Sequence, residues 1–138
     1  VKITRLEARR CLVGEGPVWD AQEQVLYDLD SIGQKVHRYD PATETSQTWS
    51  TPAAVGAMAL RERGGAVLAL RTGVHTLDFE TGAIEPLAKP LMHPRATFND
   101  GKVDRRGRFV FGACDSDFED TRPLGGMFIL GPDDSLRS

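Results

Sequence analysis

Short apolar runs alternate with turn residues along almost the whole chain, and strand-like pieces recur about every eight to twelve residues, which is the habit of an all-β domain. Val25–Asp30, VLYDLD, and Lys35–Tyr39, KVHRY, flank Ser31-Ile32-Gly33-Gln34, a linker of hairpin length. Asp40-Pro41-Ala42-Thr43 reads as the next turn and Thr45–Trp49 as a polar outer strand. Ala66–Leu70 is wholly apolar, the composition of a buried strand. Gly73 leads from it into Val74–Phe79, and Thr81-Gly82 leads into Ala83–Leu87. Lys89–Pro94, with two prolines, predicts a loop. Strands then follow at Arg108–Gly112 and Gly126–Leu130, with an acidic loop over Asp115–Asp120 between them and a final turn at Gly131-Pro132-Asp133-Asp134. Near the start, Ile3–Ala8 predicts a weak strand, and Gly14-Glu15-Gly16-Pro17 reads as a break before Val18-Trp19.

Thr51–Arg63 supports two readings. Thr51 as N-cap, Pro52 at the first helical position and Gly64 as stop would suit a helix. Gly56, and the way Gly64-Gly65 hands over to the Ala66–Leu70 run, argue for a strand instead.

Three segments share one plan of four strands. Val18-Trp19-Asp20 corresponds to Ala59-Leu60-Arg61 and to Val103-Asp104-Arg105, a recurrence of about 40 residues that falls in the range of four-stranded propeller blades. The expected units are residues 12–50, 54–88 and 98–138, the third carrying an extra loop between Gly112 and Gly126.

Composition narrows the function classes. With 138 residues there is material for one domain. A net charge of −3, with the basic pairs Arg9-Arg10 and Arg105-Arg106 far apart and flanked by acids, gives no phosphate-tracking stripe, so nucleic acid is not an expected partner. No apolar run approaches a membrane span, and the charged start VKITRLEARRC has no signal-peptide core, which together read as a soluble, cytoplasmic protein. Cys11 and Cys114 show no metal-ligand spacing and read as thiols in a reducing compartment.

Candidate chemistry concentrates at two places. Phe98–Phe109, FNDGKVDRRGRF, packs an amide, carboxylates and a lysine between apolar residues. Asn99-Asp100-Gly101 is a turn signal first, and a polar hairpin tip satisfies it; alternatively Asn99 and Asp100 sit at a strand mouth and converge on a cation or on substrate hydroxyls. Glu15, pinned between two glycines, is either a solvated loop acid or a carboxylate delivered onto the start of an inner strand. His37, His75 and His93 share no spacing and read as strand or surface histidines rather than ligands. No Gly-x-Ser-x-Gly elbow is present, which disfavours a serine hydrolase. Trp19 and Trp49 read as packing between sheets.

The ordered series GEGPVWD, VLYDLD, KVHRYDPAT, GGAVLAL, FNDGKVDRRGRFVFG and PLGGMFIL resembles the N-terminal half of the regucalcin and gluconolactonase family of six-bladed propellers, which includes sugar-acid lactonases and luciferin-regenerating proteins. That resemblance implies a single divalent cation, Ca²⁺, Zn²⁺, Mn²⁺ or Mg²⁺, in a central channel where lactones are hydrolysed. It places Glu15 on the family's metal-ligand glutamate, Asn99 on its substrate-contacting asparagine with Asp100 supporting the loop, and Asp117 near an acidic residue that meets sugar hydroxyls. A calcium-binding regulatory or interaction module without turnover is the alternative function.

The chain departs from the family pattern in three ways. Thr97 stands where many members have an arginine, leaving Arg95 as the nearest guanidinium. Asp28 replaces an aromatic residue, which puts a carboxylate either beside Asp30 as a buried pair with one raised pKa, in the channel, or in water. The family's remaining metal ligands and its base are expected beyond Ser138. A half propeller leaves open sheet faces, so the expected partners, besides a small-molecule lactone, are the missing half or a second copy of the chain.

Overall fold

A computed structural model of the protein describes residues 1, 3, 10–116 and 123–138. The strand expected over Ile3–Ala8 lies, past Ile3, outside the described residues. The remainder forms twelve strands in three antiparallel sheets of four: β1 (Gly14–Asp20), β2 (Val25–Asp30), β3 (Lys35–Asp40) and β4 (Thr45–Ser50); β5 (Val55–Leu60), β6 (Ala66–Leu70), β7 (Gly73–Leu77) and β8 (Ile84–Ala88); β9 (Ala96–Val103), β10 (Phe109–Asp115), β11 (Gly126–Leu130) and β12 (Leu136–Arg137). Among the described residues each strand pairs only with its neighbours in sequence. Thr51–Arg63 is therefore resolved in favour of strand β5, and the helix signals Thr51 and Pro52 serve a tight connection in which the Thr51 hydroxyl donates to the Ala53 carbonyl at 2.7 Å.

Side-chain alternation explains how the sheets stack. On β2 and β3, Val25, Tyr27, Leu29 and Val36 point one way, and they meet Met58, Leu68, Leu70 and Leu77 of the middle sheet. The opposite face of that middle sheet, Ala57, Ala59, Val67, Ala69 and Val74, meets Phe98, Phe109, Phe111 and Phe128 of the third. Both faces of β5–β8 are thus covered, which is why Ala66–Leu70 is apolar at every position instead of alternating. Aromatic pairs fill the two interfaces: Tyr27 stacks on Phe79 at 4.9 Å, Trp49 lies 4.8 Å from Phe79, and Phe98 meets Phe111 edge-on at 5.0 Å. Trp49 packs between sheets as expected; Trp19 instead faces outward on the first sheet, 50% exposed.

The sheets converge along their first strands. A Cβ added to Gly56 of β5 would lie 2.2 Å from the Phe98 carbonyl oxygen of β9, so these backbones touch. Lys102 Nζ of β9 reaches within 3.5 Å of the Pro17 carbonyl on β1. Sheets stacked face to face whose first strands meet are successive radial blades about one axis, an all-β partial propeller.

Turns are closed by a repeated device. Asp20, Asp40, Asp78 and Asp104 each accept backbone N–H groups from two to four residues ahead. The residues that then reverse the chain, Gln24, Glu44, Gly82 and Gly107, take positive φ. The hairpin expected around Arg106-Gly107 is one of these, closed further by Arg108 Nε donating to Asp104 Oδ2 at 2.7 Å, a pair that holds the Asp104 carboxyl at about 2.

Candidate functional site

Two turn-like sequences prove to be neither turn nor break. Gly14-Glu15-Gly16-Pro17 lies inside β1, and Asn99-Asp100-Gly101 lies inside β9. The register shows why: Glu15 pairs with Leu29 and Val18 with Tyr27, so Gly16 and Pro17 together oppose the single residue Asp28. On β9, Phe98 pairs with Ala113 and Gly101 with Phe111, so Asn99 and Asp100 oppose Gly112. Both are β-bulges, and β5 carries a third at Gly56, between the pairs Val55–Leu70 and Ala57–Ala69. Gly16, at φ +60, supplies the left-handed step, and Pro17 has no N–H to lose there. A bulge re-aims the side chain beside it, and in this fold it does so on each strand that lines the axis.

The sequence-selected residues are distributed over this end of the strands. Glu15 is half-buried; Asn99 and Asp100 are exposed, with the Asp100 carboxylate accepting the Gly101 N–H at 2.7 Å. Arg95 donates through Nη2 to Asp115 Oδ2 at 2.8 Å, and its carbonyl accepts the Ser116 N–H, so it clasps the start of β9 to the end of β10. Asp115, expected in an acidic loop, is the buried last residue of β10. Asp117 lies outside the described residues.

Electrostatics link the first and third sheets. Burial pushes the Cys114 thiol up, and the negative charges of Asp115 and of Glu15 push it further. Glu15 therefore lies within electrostatic reach of β10, and Cys114 is held as a neutral thiol, unsuited to nucleophilic work. The Glu15 carboxylate and the Asn99 amide oxygen are hard donors of the kind Ca²⁺, Mg²⁺ and Mn²⁺ prefer. By their chemistry these donors suit such a cation, and two of them do not complete its shell.

Asp28 is not on the axis. Its register partner is His37, and both occupy the face of the first sheet turned away from the middle one. Asp30, on the same face, does not form the pair with a raised pKa that two neighbouring carboxylates would give. Burial pushes its carboxyl up, but N–H groups of Val13, Leu12 and Gly33 and the charge of His37 outweigh that, leaving it below the ordinary carboxylate value. A cleft of about 520 Å³ opens at the far ends of β5 and β9, among Arg61, Arg63, Arg106 and Asp134, away from Glu15 and Asn99.

The sequence pattern of the SMP-30/gluconolactonase/LRE-like region matches residues 13–138. The chain belongs to this family. Among members of the SMP-30/gluconolactonase/LRE-like family, it is 38% identical to regucalcin of Xenopus laevis over 140 residues, covering 99% of this chain and 47% of that one. It is 41% identical to the 6-deoxy-6-sulfogluconolactonase of Pseudomonas putida over 113 residues, covering 77% of this chain and 39% of the relative. A crystal structure of a calcium-binding protein, regucalcin, from Agrobacterium tumefaciens superimposes with a TM-score of 0.84 at 20% identity, over 96% of this chain and 44% of that one. The chain spans about half the length of the curated relatives it matches.

Proposed function

We propose that this chain supplies half of the channel of a lactonase that hydrolyses sugar-acid type lactones with the help of one divalent cation. The observation that carries the reading is the pair of bulges on β1 and β9, which present a carboxylate and an amide at one end of converging strands. Its support from relatives is the 6-deoxy-6-sulfogluconolactonase, identical at 41% of aligned positions.

In this reading Glu15 holds the cation with one carboxylate oxygen, held in place by the Gly16-Pro17 bulge. When bound, a divalent cation would supply Lewis acidity toward a lactone carbonyl and make water more acidic. Asn99 orients the substrate through its amide, and Asp100, tied to the Gly101 N–H, keeps the bulge in shape. Arg95 acts from its pair with Asp115, at the position nearest to the family arginine, and Asp117 meets substrate hydroxyls. The base and the other ligands come from the remaining blades of the propeller. Those blades, from a longer chain or a second copy, would also cover the outer faces that expose Trp19 and Met127. A cytoplasmic setting completes the proposal; among the described residues no helix is long and apolar enough to cross a membrane.

Gluconolactone hydrolysis followed by pH indicator, with Ca²⁺, Mn²⁺ or Zn²⁺ added, tests it. Glu15→Gln should lower kcat/KM on the order of 100-fold, and Asn99→Ala on the order of tenfold with a raised KM. Saturable metal binding without turnover would replace the lactonase by a calcium-binding module.

A further inference from the structure

The outer face of the first sheet carries a polar row that the lactonase reading does not use. Register sets Asp28 opposite His37 and His37 opposite Thr48, so three polar side chains cross the sheet side by side, with His37 only 5% exposed. Cys11 is brought over this row by its neighbours: Leu12 and Val13 both donate their N–H to the Asp30 carboxylate at 3.0 Å, and Asp30 shares the face of Asp28. One ligand atom each from Cys11, Asp28 and His37 all lie within 4.8 Å of one another.

We propose that Cys11, Asp28 and His37 form a binding site for a borderline-soft divalent cation of the Zn²⁺ type, distinct from the cation held by Glu15. Thiolate, carboxylate and imidazole carry two negative charges, so a divalent ion makes a neutral site, the condition for stability where side chains are sheltered from water. Ligand atoms around a tetrahedral Zn²⁺ stand about 3.3–3.8 Å apart, so closure requires movements of about 1 Å. His37 Nδ1 is 2.8 Å from Thr48 Oγ1; with Nδ1–H donating to that hydroxyl, this is the outer hydrogen bond that fixes a ligand imidazole and leaves its lone pair on Nε2. Donor softness separates the two sites: a thiolate and an imidazole select Zn²⁺ or Co²⁺, whereas Glu15 and Asn99 offer oxygen alone. Glu15 is paired with Leu29, whose face is the buried one, and so lies across the sheet from Asp28. Structurally the ion would staple the segment that leads into the Glu15 bulge onto the sheet.

Titration of the reduced chain with Co²⁺ tests this independently of activity. The expected result is one equivalent bound, with the intense absorption of a cobalt–thiolate bond. Cys11→Ser should abolish that absorption, Asp28→Asn and His37→Gln should weaken binding tenfold or more, and Glu15→Gln should leave it unchanged. Zn²⁺ should displace Co²⁺ and raise the thermal midpoint of the parent but not of Cys11→Ser. If Cys11→Ser does not fold, Thr48→Val serves: Co²⁺ binding should weaken several-fold with the absorption retained. No thiolate absorption, absorption that survives Cys11→Ser or disappears in Cys114→Ser, or unchanged affinity in Thr48→Val would each overturn the site. Loss of lactonase activity alone, with the cobalt spectrum intact, would count only against the Glu15 reading.

Discussion

Gly56→Ala should lower stability by about 2–4 kcal/mol and displace Asn99 from its present position. The added Cβ would stand 2.2 Å from the Phe98 oxygen, 2.4 Å from its carbon and 2.7 Å from the Asn99 nitrogen. All three are backbone atoms, so no rotamer change relieves the contact, and β5 must move away from β9 by about 1 Å. That movement opens the interface of Ala57 and Ala59 with Phe98 and Phe111. Urea midpoints measure the loss. Gly64→Ala is the control: nothing lies within 4 Å of its added Cβ, and only its φ of +87 opposes the substitution, an effect of about 1 kcal/mol. Equal midpoints for the two variants would mean that β5 and β9 do not touch.

Asp30→Ala should be comparably damaging, by about 3–5 kcal/mol, because three N–H groups, of Leu12, Val13 and Gly33, lose one charged acceptor on a buried side chain. Its pH signature has a definite sign. The folded carboxyl titrates below its ordinary value, so its stabilising effect is complete above the unfolded value of about 3.9 and is lost as pH falls through the lower folded one. Asp30→Asn should therefore be less stable than the parent at neutral pH and approach it as pH falls below about 4. Denaturant midpoints across that range check this; a difference that stays constant with pH would show that the carboxylate charge is not what holds Leu12 and Val13.

Short apolar strands bounded by turn residues were readable in advance. Val25–Asp30, Ala66–Leu70 and Gly126–Leu130 occupy their expected spans because local pattern and tertiary burial demand the same thing there. The candidate site was harder to read for a physical reason. Gly16, Asn99, Asp100 and Gly101 are residue types that both turns and bulges favour, and only the pairing partner, Leu29 to Tyr27 or Ala113 to Phe111, distinguishes the two. Gly56 argued correctly against a helix, yet its role is close approach to β9, which no local pattern contains. Cys11, Asp28 and His37 share no linear spacing. The hairpin at Ser31–Gln34 does set Asp28 opposite His37, so two of the three members of that cluster could have been found by writing out the register; Cys11 could not, because Asp30 draws it in.

The strictly sequential pairing of strands, with several of the turns clasped by an aspartate of their own, bears on how the molecule is assembled. Hydrogen-bonded ladders here join segments only a turn apart, so contact order within each sheet is low for an all-β architecture. Individual hairpins can nucleate before the three sheets find one another, and the slow step is left to the docking of apolar faces. A chain built this way can acquire a blade by duplication without rewriting the folding route of those already present.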